Sequence, residues 1–217
     1  VGNLLIDTFL HGGVLMWPLL VLSLVTLAVV IERSTWWSAE GRGKDDERLD
    51  RLYQALAVGD AGGALELAQG SADARIRVVA HGLEHAQADV GIAMQVKVAE
   101  ETKLSRRFLV VLDTAITLAP LLGLLGTVTG IMRSFHFVGG DQELAAAKVS
   151  GGIGEALIAT AFGLGIAITT LIPYNAFGNK AEELQHELET VVNNVRLVSE
   201  KARQAARSAV LTGAASE

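Results

Sequence analysis

Glu155 lies in the run "GGIGEALIATAFGLGIAI" (Gly151 to Ile168), where every residue except Glu155 and Thr160 is apolar or small. A carboxylate near the middle of a membrane span costs about 2.5 to 3.5 kcal/mol on insertion scales, so it must face protein or a water-filled cavity rather than lipid. Two roles suit it: a hydrogen-bonded buttress between helices, or a group bordering an ion path. On an ideal helix Glu155 and Thr160 lie about 140° apart, so both cannot point at one axis. Thr160 falls on a longer seam of the same helix and is expected to face a lumen, and Glu155 a boundary between subunits or between the helices of a hairpin.

A second polar set accompanies them. Asp113, Thr117, Pro120, Leu124, Thr127 and Ser134 are spaced in threes, fours and sevens, which predicts a polar stripe along one helix face. Gly126 and Gly130 form a small-xxx-small pair, as do Ala159 and Gly163, and Gly123 and Gly165 thin the helices further; such residues let backbones approach closely. Threonines in a span also bond their own helix carbonyls. Catalytic patterns are missing: no second span acid pairs with Glu155, no H-E-x-x-H occurs, and Ser134 and His136 do not face one another on a helix. His81 and His85 have the four-residue spacing of a metal pair, but without a placed carboxylate or third histidine they read as a polar helix face. No metal and no cofactor is expected.

The elements that position these residues are membrane spans. The chain has 217 residues, 50% hydrophobic and 19% charged, with a mean hydropathy of +0.38, and its apolar residues are collected in blocks. Val14 to Ile31 and Thr114 to Met132 are uncharged over 18 and 19 residues, each long enough for a hydrocarbon core of roughly 30 Å. Gly151 to Ile172 is interrupted only by Glu155, and Pro18, Pro120 and Pro173 all lie in or beside the spans. The first span is expected to be retained rather than cleaved, because Asp7 and no Lys or Arg precedes it.

Arg33, Arg42, Lys44, Arg48 and Arg51 follow span one, and Lys97, Lys103, Arg106 and Arg107 precede span two, so the positive-inside rule predicts a cytoplasmic intervening segment. The expected organisation is an outer segment 1–13, span 14–31, a cytoplasmic helical region 32–112, span 113–135, an outer connection 136–150, span 151–173 and a cytoplasmic helical tail 174–217. The net charge of −6 speaks against nucleic acid, and the absence of cysteine excludes disulfides and thiolate sites.

Residues 45 to 112 read as helices separated by glycine-marked breaks, with a longer run from Val90 into span two. In the tail, Leu184, Leu188, Val191, Val195, Val198, Ala202 and Ala205 repeat at alternating spacings of four and three, a heptad seam. Traced backwards it passes through Ala181, Phe177, Tyr174, Thr170, Ala167 and Gly163 to Thr160, which predicts one long helix if Pro173 is accommodated. An amphipathic tail on a headgroup surface is the alternative, although its charges are close to balanced.

"APLLGLLGTVTGIMRSF" (Ala119 to Phe135) and "GGIGEALIATAFGLGIAI" resemble the ExbB/TolQ/MotA family of proton-driven energy-transducing channel subunits. The layout of spans, loop and tail matches the family over nearly the whole chain. The resemblance implies an all-α integral membrane protein with three transmembrane helices and cytoplasmic helical extensions, assembling as a homopentameric ring in the bacterial inner membrane, with its N-terminus periplasmic. It implies a single-span partner of the ExbD or TolR kind, whose membrane aspartate is the principal proton carrier, and a TonB-like protein beyond it. Carried over by motif, Thr127, Glu155 and Thr160 belong to the polar lining of the proton route, and Gly123, Gly126, Gly130 and Gly163 to helix packing. Three spans and a modest loop resemble ExbB or TolQ better than the four-span flagellar stator subunit, with ExbB preferred. A passive membrane scaffold is the competing function.

Overall fold

A computed structural model describes residues 9, 11–85, 89–136 and 142–214. Residues 1–8 and 10 of the expected outer segment and residues 137–141 of the expected connection fall outside the described residues, while 142–150 of that connection belong to the last helix. Seven helices occur among those described: α1 (Met16–Gly43), α2 (Asp46–Ala57), α3 (Ala61–Ala68), α4 (Ala74–Glu84), α5 (Val90–Ser105), α6 (Leu109–His136) and α7 (Gln142–Ala214). The all-helical expectation holds, and three helices are long and apolar enough to cross a membrane. The chain divides into two units, one of residues 1–33 and 108–178, the other of residues 34–107 and 179–217.

The first unit holds the apolar stretches of α1, α6 and α7. Its interior is small: Met16, Leu19, Ala119, Ala159 and Ala167 are buried, with Leu22, Leu122, Ile158, Phe162 and Ile166 against them. Its large apolar side chains instead cover the outside, including Val21, Leu24, Leu27 and Ile31 on α1, Leu121, Val128 and Met132 on α6, and Leu157, Leu164, Ile168 and Ile172 on α7. An apolar exterior of this extent suits lipid or neighbouring subunits and not water.

The second unit has a larger buried hydrophobic core. Leu49, Leu52, Leu56, Ile76, Val78, Val79 and Met94 from α2, α4 and α5 pack with Leu184, Leu188, Val191, Val192 and Val195 of α7. Four short helices each start on an aspartate cap: Asp45, Asp60, Asp73 and Asp89 accept N–H bonds from Arg48, Gly63, Arg75 and Gly91 at 2.8 to 3.0 Å. Asp73 is itself buried, and its carboxylate also accepts from the Asp45 N–H at 2.9 Å and from Arg75 Nη2 at 2.7 Å. Burial pushes the Asp73 pKa up, but the bonds from Arg75 and the two backbone N–H groups outweigh it and hold the carboxyl below its usual range. Glu101 follows the same pattern, its burial outweighed by Arg77 at 2.8 Å and Lys97 at 3.4 Å.

Two sequence expectations resolve differently. The run from Val90 into span two is broken at Arg106–Phe108, where Phe108 adopts a left-handed φ of 64° beneath the Arg33 guanidinium, 5.9 Å from the ring centre. No glycine or proline signals this break in the sequence. The tail, by contrast, is one helix with span three: α7 continues through Pro173. Its seam packs within the chain, as Ala181, Leu184, Leu188, Val191 and Val195 are all buried in the second unit, whereas Ala205 is exposed.

Candidate functional site in the α6/α7 hairpin

The packing of α6 on α7 is set by missing side chains. A methyl group on Gly126 would come within 2.7 Å of the Ala159 Cβ, and one on Gly130 within 2.9 Å of the Ala156 Cβ. On Gly123 it would lie 2.9 Å from the Thr160 Cα, and on Gly163 it would overlap the Ala119 carbonyl. Residue numbers fall along α7 as they rise along α6, the signature of antiparallel helices in near backbone contact. The exclusion of side chains opens a polar bond: Thr160 Oγ1 donates to the Gly123 carbonyl oxygen at 2.9 Å across the hairpin. The hydroxyl expected at a lumen is therefore turned to the neighbouring helix of its own chain.

Glu155 sits one and a half turns towards the N-terminal end of α7 from Thr160. Its Oε1 lies 3.7 Å from Arg133 Nη1 of α6, and its side chain is 33% exposed. Gly13, with φ of +77°, approaches from the segment before α1, where any side chain would collide with the Glu155 carboxylate. A left-handed conformation and this contact together call for glycine. Arg133 was visible in the sequence only as a cation near the end of span two. Its pairing with Glu155 is a tertiary fact of the hairpin, which span boundaries alone could not supply.

Thr127 is half-buried, and its Oγ1 donates to the Leu124 carbonyl of its own helix at 2.7 Å. Among the described residues no hydrogen bond joins it to Glu155 or Thr160. The α6 stripe divides: Asp113, Thr117 and Leu124 are exposed on the chain, while Ser134 is buried in the hairpin, bonded to the Gly130 carbonyl at 2.9 Å. The stripe is thus covered unevenly along the length of α6. Away from the hairpin, Glu84 completes a group with His81 and His85 that the sequence reading had left without a carboxylate.

The arrangement brings together a tight hairpin, an acid and base at one end of it, and a hydroxyl bridging its middle. Residues 71–190 match the MotA/TolQ/ExbB proton channel family. The chain is 36% identical over 201 residues to biopolymer transport protein ExbB-like 1 of Synechocystis sp., covering 89% of this chain and 78% of that protein. It is 32% identical over 151 residues to biopolymer transport protein ExbB of Salmonella typhimurium, covering 70% and 58%. To the Tol-Pal system protein TolQ of Pseudomonas aeruginosa it is 43% identical over 95 residues, covering 44% and 41%.

Proposed function

We infer that this chain, which belongs to the MotA/TolQ/ExbB proton channel family, is an ExbB-like motor subunit that couples proton-motive force to a single-span partner for energised transport across the outer membrane. The family is one of multi-pass inner-membrane channels and not of enzymes. In this reading the chain forms a homopentameric ring around ExbD- or TolR-like helices, with its N-terminus periplasmic and the second unit cytoplasmic. A TonB-like protein receives the work.

The observation that carries the reading is the placement of Glu155. The carboxylate is the one acid within residues 14–31, 114–132 and 151–172, and it is neither sealed within the hairpin nor left alone. It stands beside Arg133 with a third of its side chain uncovered by the chain. In a membrane, that uncovered part must meet a neighbouring subunit, a partner helix or water. A buttress internal to the chain would be covered. Thr160, bonded to Gly123 across the hairpin, and Thr127, bonded to Leu124 of its own helix, would take part in the route only by turning their hydroxyls away from these carbonyls.

A TolQ-like role in envelope maintenance is the second reading, favoured by the 43% identity to TolQ across the stretch the two share. It keeps the same channel chemistry and changes the partner.

Substitution at Glu155 tests the ionisable role, because Gln keeps the volume without the charge, Asp keeps the charge on a shorter stem, and Ala removes both. With the partner co-expressed, Glu155→Gln is expected to fail nearly as badly as Glu155→Ala in proton-motive-force-dependent function, with Glu155→Asp partly active and oligomer mass unchanged in all three. A fully active Glu155→Gln protein would remove the proton role from this residue.

A further inference from the structure

We propose that His81, Glu84 and His85 form a binding site for a divalent first-row transition metal ion, of which zinc is the natural probe. The three residues occupy positions i, i+3 and i+4 at the end of α4, which puts them on one helix face. One ligand atom from each lies within 4.8 Å of the others. A zinc ion at its usual distances needs ligand atoms about 3.3 Å apart, and rotation of these solvent-accessible side chains closes the difference.

A backbone contact of His85 leaves its outer ring nitrogen for a metal. Its Nδ1 lies 2.8 Å from the His81 carbonyl oxygen. A carbonyl can only accept, so the hydrogen sits on Nδ1 and the Nε2 lone pair is free to ligate. This is the arrangement by which metal-binding histidines are commonly held, their second nitrogen donating to a backbone carbonyl. The two imidazole rings lie 4.3 Å apart between centroids. The site stands at a helix C-terminus, where the aligned peptide dipoles favour a cation.

Two imidazoles and one carboxylate select for zinc, nickel, cobalt or copper, whereas magnesium and calcium take oxygen ligands. Three protein ligands leave a fourth position for water or for a group from another molecule. The inference concerns the second unit alone and is independent of the proton route through the spans.

Isothermal titration of the full chain in detergent, purified without a histidine tag, tests it. One zinc ion per chain is expected to bind, and neither magnesium nor calcium should compete. Glu84→Gln should weaken binding about tenfold, and His81→Gln with His85→Gln should abolish it, with the far-ultraviolet circular dichroism unchanged. Replacing the other three histidines, His11, His136 and His186, by Gln should leave it intact. Zinc binding by the His81/His85 variant equal to that of the wild type, or no zinc binding by the wild type, would overturn the proposal.

Discussion

Thr160 illustrates how one side chain can serve packing and polarity together. Its hydroxyl reaches Gly123 across α6 and α7 and also lies 3.3 Å from the Ala156 carbonyl of its own helix. Interhelical hydrogen bonds of this kind contribute about 0.6 to 1.7 kcal/mol in membranes. Thr160→Ser keeps the hydroxyl, while Thr160→Val keeps only the shape and leaves the Gly123 carbonyl without this donor. The expected outcome is near-normal energised function for Ser and, for Val, a loss of function together with a hairpin weakened by about 1 kcal/mol in a denaturation assay. Equal behaviour of the two variants would reduce Thr160 to packing. At this scale the sequence marked the polar residues well, since Glu155 and Thr160 stand out from an apolar run. It could not mark Arg133, because a cation near a span end becomes significant only when the opposite helix brings an acid to it.

At the scale of elements, periodicity was the legible signal. The seam from Leu184 to Val195 was visible as a heptad, and Leu184, Leu188, Val191 and Val195 are buried in the second unit. The helix break at Phe108 was not visible, since a left-handed phenylalanine held under Arg33 leaves no local signature. The most exacting element is α4, whose cap Asp73 is buried and bonded to Arg75, itself in contact with Asp46 at 2.7 Å. Asp73→Ala removes a cap and one of the two carboxylates that pair with the Arg75 guanidinium, leaving Asp46, a loss of about 1 to 2 kcal/mol. The Asp73 carboxyl is held below its unfolded value, so its contribution is fully present above the unfolded pKa of about 3.9 and is lost as the pH falls through the folded value. Thermal unfolding of the wild type and of Asp73→Ala in detergent should therefore differ clearly at pH 7 and converge below about pH 4. A gap that stays constant with pH would show that the charge of Asp73 does not stabilise α4.

At the scale of the whole molecule, composition alone separated a membrane protein from a soluble one, and the outward-facing leucines, isoleucines and valines of α1, α6 and α7 give that separation its physical form. What surrounds those faces was less legible, because lipid, another subunit and a partner helix all accept the same apolar side chains. Exposed polar groups narrow the choice. Asp113 and Thr117 on α6 and the uncovered part of Glu155 on α7 belong against protein or water. In the proposed ring these groups would face the partner or a neighbouring subunit. The central claim is that the chain conducts protons only with that partner in place. Proton flux into vesicles reconstituted with the chain, under an imposed potential, measures it directly, with and without a single-span protein bearing a membrane aspartate. Flux is expected to require both proteins and to disappear when the partner's aspartate is replaced by asparagine. Equal flux with and without the partner, or none with both present and assembled, would contradict it.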